Sequence, residues 1–573
     1  MTIPRIEHPK PQFQRDSWMN LNGQWAFEID NGRSGLARGL SNQDAKLSGE
    51  ITVPFCPQSE LSGVNYKDFI NGAWYQRTVE LTREQTSGTV FIHFGAVDYR
   101  CQVFVNGKKA GEHRGGYVSF RMDISELVNI GENVITVYAE DNERDPMIPR
   151  GKQSEEFFSH NCDYTRTTGI WQTVWLEFCP KTHLDSFRVT PNLEDGSLWI
   201  SAKVCGRAAL IVEAAFEGKP MGKASVEAKG DRVSLTLKLD EIHLWELGCG
   251  RLYDLTLTYG DDIVHSYAGM RSVALEGRKF LLNGKSVFQR TVLDQGFYPD
   301  GIYTAPSDEA LVRDIQLSMS CGFNGARLHE KIFEERFLYH CDRLGYMVWG
   351  EFPNWGLDHS QPQAVYSVLP EWLEEVERDF NHPSIIGWCP FNETWDQNGR
   401  KQYDDVLRAV YLATKSADPT RPCIDTSGNY HVETDIYDLH DYDQNPESFK
   451  AHYDELAQGG ELWEQVNQRQ PYPRQKYDGK KPVFLSEYGG IGWALDEKAW
   501  GYGNSPKSPE EFIQRFRGLA DALLDNPEIM GLCYTQLTNV EQEQNGLFTY
   551  EREPKFPVET FRDILSRKAA IED

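Results

Sequence analysis

Residues 384–418 read SIIGWCPFNETWDQNGRKQYDDVLRAVYLATKSAD. A short apolar run ends on the polar pair Asn392-Glu393, and a helical pattern over 403–418 follows it. The same unit recurs in both directions. Upstream lie SVFQRTVL (286–293) with the helical APSDEALVRDIQLSMSCG (305–322), then NGARLH (324–329) with FEERFLYHCDRLG (333–345). YMVWGEF (346–352) is followed by a helix near PEWLEEVERDFNHP (370–383). Downstream lie PCIDTSG (422–428), DIYDLHDY (435–442), PVFLSEYG (482–489) with SPEEFIQRFRGLADALLDN (508–526), and IMGLCYTQL (529–537). Eight strand candidates alternating with helices predict a (β/α)8 TIM barrel over 274–573. Ser307 and Asp308 before one helix and Gly345 after another are ordinary capping residues.

Before residue 274 the periodicity changes to two. Residues 1–180 carry runs such as GQWAFEI, GTVFIHFGAV, RCQVFVNGKKAG, NVITVYAED and WQTVWLEF. Asn106-Gly107 separates two of them, which is a hairpin signal, and the whole reads as a β-sandwich. Residues 181–273 repeat the pattern over a length that suits an immunoglobulin-like sandwich acting as a spacer. Three domains also fit the 573-residue length, since a single core stops growing at about 250–300 residues.

With 86 acidic and 59 basic residues the chain has a formal net charge of −27. Such a field repels phosphate backbones and anionic lipid, so neither nucleic acid nor a membrane is expected as partner. A neutral substrate suits the charge better, although a local pocket can oppose the global sign. The N-terminal stretch has no apolar core of the kind signal peptides use, and no run is long enough for a membrane span. The 11 cysteines stand singly, without a CxxC pair. Reduced thiols and a cytoplasmic location are therefore expected. The sequence leaves the oligomeric state open, a homo-oligomer included.

In a TIM barrel the chemistry gathers at the C-terminal ends of the strands. The fourth run ends in Asn392-Glu393 and the seventh in Glu487. Barrel closure turns two such ends toward one pocket, and a facing carboxylate pair is what glycoside hydrolysis needs. One must be neutral to protonate the leaving oxygen; the other must be charged to attack the anomeric carbon. A single glutamate at a strand end more often forms a structural salt bridge, but two on these strands argue for chemistry. Trp355, Trp395 and Trp493 are candidate platforms for the apolar face of a sugar, whereas Trp388 inside the fourth run reads as core. Asp294, Arg327, His329, His440, Tyr442 and Gln536 end other runs and can meet hydroxyls. No HxH or HExxH spacing supports a metal, no GxSxG elbow supports a serine hydrolase, and no cofactor is expected.

At this point the residues resemble glycoside hydrolase family 2. HPSIIGWCPFNETW is similar to the family's acid/base segment and KPVFLSEYGG to its nucleophile segment; GFNGARLH resembles the segment that brings an arginine and a histidine near the site. LNGQWAF, VFVNGKKAGEHRGGYVSF and TTGIWQTVWLE look like its jelly-roll sugar-binding domain. The resemblance implies a jelly-roll, immunoglobulin-like and barrel order. It also implies a retaining exo-glycosidase with Glu393 as acid/base and Glu487 as nucleophile. Two stretches depart from the pattern. EQEQNGLFTYER (541–552) lacks the lysine with which the family's glucuronidases read a carboxylate, which argues against a uronate. GLCYTQLTNVEQE (531–543) carries Gln536 where many members have a tryptophan. The expected activity is β-galactosidase-like, with an arabinosidase or β-galactofuranosidase next and a β-glucuronidase or β-mannosidase behind. A catalytically silent carbohydrate-binding protein is the alternative of another class.

Overall fold

The computed structural model describes residues 3–394, 401–463, 477–494 and 500–572. The chain opens with two packed antiparallel sheets. One has six strands, in the order Gly49–Val53, Gly23–Ile29, Ala73–Leu81, Gly131–Glu140, Arg100–Val105, Lys108–Arg114. The other has four: Trp18–Asn20, Val174–Cys179, Thr89–Phe94, Phe120–Asp123. Alternate residues of both, among them Trp25, Tyr75, Val103, Ile92 and Leu176, share one apolar core. The Asn106-Gly107 turn has φ of 52° and 77° and joins Arg100–Val105 to Lys108–Arg114, the double left-handed geometry that a tight hairpin demands.

A second sandwich follows, with a three-stranded sheet (His183–Asn192, Ser197–Cys205, Arg232–Lys238) against a four-stranded one (Lys219–Glu227, Ala209–Phe216, Tyr253–Tyr259, Asp262–Ala268). It has its own core around Leu198, Val212, Leu237 and Tyr253. All 11 cysteines of the chain are free thiols.

The third unit is the TIM barrel. Among the described residues seven parallel strands run Gln289–Asp294, Gly325–Leu328, Met347–Glu351, Ile385–Cys389, Tyr437–Asp441, Val483–Gly489 and Ile529–Thr535, and the last pairs with the first. The fifth of the eight sequence runs is not a regular strand. Segment 422–428 instead bridges to the fourth strand at Cys423 and Ser427, with Trp388 N donating to Pro422 O and Ser427 N to Phe391 O. Polar side chains explain the difference: Ser427 and Asp425 spend their oxygens on Asp438 and on the 431–433 turn rather than presenting an apolar pleat. Ser307 caps the first barrel helix by accepting from Ala310 N, and Gly345 ends the second at φ 68°. The helix expected near Pro370 begins five residues earlier, at Val365. Pro370 falls one turn in, and Val368, Trp372 and Val376 bury one face of this helix.

The N-terminal sandwich also crosses onto the barrel mouth. Arg150 N donates to Trp355 O at 2.8 Å, Gly151 N to Pro353 O at 3.2 Å, and Thr304 Oγ1 to Trp171 O at 2.5 Å. Residues 150–166 thereby line the end of the barrel where its strands terminate.

Candidate active site

Arg327, buried at the end of the second strand, organises the strand ends. Its Nη1 donates to Glu487 Oε1 at 2.9 Å, its Nη2 to Asn392 Oδ1 at 2.7 Å, and its Nε to Glu351 Oε2 at 2.5 Å. One planar guanidinium thus fixes residues from the third, fourth and seventh strands, which suits its rigid fork of donors. Burial opposes its charge, but Glu351 and Glu487 outweigh burial and hold its pKa well above the ordinary arginine value.

Glu487 is 4% exposed, and its second oxygen accepts from Tyr442 Oη. The Tyr442 ring stacks on Tyr502 with centroids 3.6 Å apart, which fixes the direction of the hydroxyl. Glu393 stands opposite. Its backbone is left-handed at φ 46°, an uncommon conformation for a residue with a Cβ. It is held there by a hydrogen bond from its N to Ser427 O and by Asn354, which brackets the neighbouring Asn392 peptide on both sides. His440 Nδ1 lies 2.7 Å from Glu393 Oε1 and 3.4 Å from Glu487 Oε2. Burial opposes charge on His440, yet Glu487 and Glu393 raise its pKa above the ordinary imidazole value. The contact atoms of Glu393, His440 and Glu487 all lie within 4.8 Å of one another.

Those three donors could hold a metal by distance alone. The Arg327 guanidinium already occupies Glu487, however, so a cation there would meet a fixed positive charge. A second group, Glu155, His160 and Asp163, has the same defect, because Arg150 pairs with both its carboxylates.

Next to the pair, Asn392 is fully buried and its Nδ2 has no hydrogen-bond partner among the described residues. A cleft of about 360 Å³ opens beside it, lined by Glu393, Trp355, His359, Gln402, Arg150 and Asp163. Beyond the eighth strand, buried side chains form a closed ring of hydrogen bonds. Tyr164 Oη donates to Glu543, Asn545 Nδ2 to Glu543 at 2.9 Å, Gln536 Nε2 to Asn545 at 2.9 Å, and Gln295 Nε2 to both Gln536 (2.6 Å) and Tyr164 (2.7 Å).

The description of the glycosyl hydrolase family 2 sugar-binding domain matches residues 18–180, and that of the family 2 TIM barrel domain matches 273–495. Together they take in two thirds of the chain. The chain belongs to glycoside hydrolase family 2. It is a glycosyl hydrolase. The β-glucuronidase of Pongo abelii is 26% identical over 93% of this chain and 88% of its own. A β-galactosidase of Thermoanaerobacter pseudethanolicus is 28% identical over 62% of the chain, which spans about half the length of that relative. The solved β-glucuronidase of Ruminococcus gnavus in complex with D-glucuronic acid superposes with a TM-score of 0.78 at 20% identity, covering 98% of this chain and all of the other.

In this hydrolase Glu393, Glu487, Arg327, Asn392, His440 and Tyr442 come together as one constellation. His329 joins it: its Nδ1 lies 2.9 Å from Glu351 Oε1 and 3.9 Å from Glu487 Oε1, and burial, then Lys152, pushes its pKa well below the ordinary value. Trp355 lines the cleft, and Gln536 belongs to the hydrogen-bonded ring. Asp294 is 5% exposed and accepts from Gly296 N; burial and Asp314 raise its pKa to about 6. Trp493 is different. Its ring packs edge-on against Phe512 and tilted against Phe556, and it does not line the cleft beside Glu393. Trp395 lies outside the described residues. Trp388 is core, as its position inside the fourth strand requires. Sequence reasoning passed over Glu351, although it ends the third apolar run as Glu393 and Glu487 end theirs. It also passed over Lys152, Tyr164 and Tyr502, which reach the site from irregular segments. No helix among the described residues is long and apolar enough to cross a membrane.

Proposed function

We propose that this glycosyl hydrolase cleaves terminal β-glycosides with retention, Glu487 acting as nucleophile and Glu393 as acid/base. The observation that carries the reading is the short gap between the two carboxylates, within 4.8 Å. Retaining enzymes place them about 5–5.5 Å apart, whereas inverting enzymes leave roughly 6.5–9.5 Å for a water. In the first step Glu487 attacks the anomeric carbon as Glu393 gives its proton to the departing oxygen. In the second, Glu393 takes a proton from water, which attacks the same carbon and releases Glu487. Arg327 and Tyr442 aim the two oxygens of Glu487 by hydrogen bonds to different lone pairs. The unpartnered Asn392 Nδ2 is a donor for a sugar hydroxyl beside the reacting carbon.

The sequence expectation put β-galactoside first. Relatives named β-glucuronidase, several of them mammalian, shift the reading toward a β-glucuronide, with β-galactoside second. Proton NMR of the first-formed product on a panel of nitrophenyl β-glycosides tests the reaction. The β-anomer should appear first; the α-anomer appearing first would remove both the retaining mechanism and the covalent role of Glu487.

A further inference from the structure

Lys152 is carried onto the barrel mouth by the N-terminal sandwich, directly after the Arg150 and Gly151 hydrogen bonds to Trp355 O and Pro353 O. The residue is 5% exposed, and its Nζ stands 3.3 Å from the centroid of the Trp355 ring. Its ammonium makes no hydrogen bond or ion pair among the described residues. Of the other cations nearby, Lys401 also lines the cleft but is exposed, and three are already committed. Arg327 is bound to Glu487, Glu351 and Asn392, Arg150 to Glu155 and Asp163, and Lys331 to the carbonyls of Gly296 and Tyr303.

A buried ammonium with only an aromatic face beneath it has donors left to satisfy. Trp355 lines the cleft that contains Glu393, and the Lys152 ammonium stands against that ring, one side chain away from the space a sugar next to Glu393 would fill. Glu330 and Glu393 are close enough to feel its charge. In a chain of net charge −27, an anionic substrate group needs a local cation to enter such a pocket. After the eighth strand Arg552 is committed to Asp314 and Lys555 to the carbonyls of Trp493 and Gln544, while Glu543 and Asn545 are spent within the hydrogen-bonded ring.

We propose that Lys152 is a specificity-determining residue that binds the carboxylate of a uronic acid, so that the site takes uronate glycosides. The proposal rests on the glycosidase reading of Glu393 and Glu487. A compact point charge on a flexible stem can meet a carboxylate without the bidentate geometry an arginine would impose.

The full-length protein is assayed with nitrophenyl β-D-glucuronide and β-D-galactoside side by side, as wild type, Lys152→Met and Lys152→Arg. The wild type should prefer the glucuronide. Lys152→Met should lower the glucuronide-to-galactoside ratio of kcat/KM by roughly 10- to 100-fold, chiefly through KM for the glucuronide, as expected for loss of a charge-assisted hydrogen bond. Lys152→Arg should recover part of that ratio. A wild type that prefers the galactoside overturns the proposal. So does an equal loss on both sugars with a displaced pH profile, which would make Lys152 a charge partner of Glu393. Calorimetry separates this from the glycosidase reading. Wild-type binding of D-glucuronic acid in preference to D-galactose, with no turnover of either glycoside, would keep Lys152 and remove the catalytic roles; no such preference would remove Lys152 whatever the turnover.

Discussion

Replacing Tyr442 with phenylalanine deletes one atom from the site. The ring remains free to stack on Tyr502 at 3.6 Å, and Glu487 keeps its 2.9 Å bond from Arg327. What is lost is the donor to Glu487's second oxygen, together with a 3.1 Å contact to Thr535 Oγ1. A hydrogen bond to a charged group contributes about 1.5–3 kcal/mol, whereas one between neutral hydroxyls contributes about 1 kcal/mol. The first loss bears on the aim of the nucleophile and the second on stability. If the whole of the first is felt in the transition state, kcat/KM falls by about 10- to 150-fold. The second lowers the thermal midpoint by no more than about 3 °C in a chain of this size. Steady-state kinetics on the best nitrophenyl glycoside, with a melting curve of the same preparation, reads both quantities. Activity within threefold of wild type in a folded variant would refute the idea that Tyr442 aims Glu487.

Glu393→Ala should lose far more activity on glycosides with basic leaving groups than on dinitrophenyl glycosides, and added azide should restore turnover as a β-glycosyl azide; equal losses without rescue would remove the acid/base role. Trp493→Ala should lower the melting temperature, because its ring packs on Phe512 and Phe556, while kcat/KM is retained; a loss of kcat/KM at unchanged stability would return Trp493 to the sugar site.

Which parts of this molecule could be read in advance follows from how each residue is placed. Glu393 and Glu487 were legible because each ends a buried apolar run, and parallel strands of a closed barrel deliver their C-terminal ends to one place. Asn392, Arg327, His440 and Tyr442 follow the same rule. Glu351 obeys it too, as the last residue of Met347–Glu351. Lys152 and Tyr164 could not be found this way. They lie in irregular chain between two strands of a sandwich, and only the docking of that segment on Trp355, Pro353 and Glu543 gives them a place at the site. The fifth barrel position was foreseen as a strand from PCIDTSG, but its side-chain oxygens are turned to Asp438 and to the backbone of 431–433. Trp493 lies close in sequence to Glu487, and its ring also meets Phe512 of the helix Pro509–Leu524, a contact the sequence alone did not suggest. Sugar identity was the least legible feature, because the side chains that could meet a sugar's substituents come from loops and from another domain, where no strand-end rule places them.

The central claim is that Glu487 forms a covalent bond to the anomeric carbon. Incubation with a 2-deoxy-2-fluoro glycoside of the preferred sugar, followed by peptide mapping in a mass spectrometer, tests it most directly. The account predicts one glycosyl adduct, on Glu487 in the peptide containing VFLSEYGG, with activity lost in step with labelling. An adduct on another residue, or full inactivation with Glu487 unmodified, would contradict it.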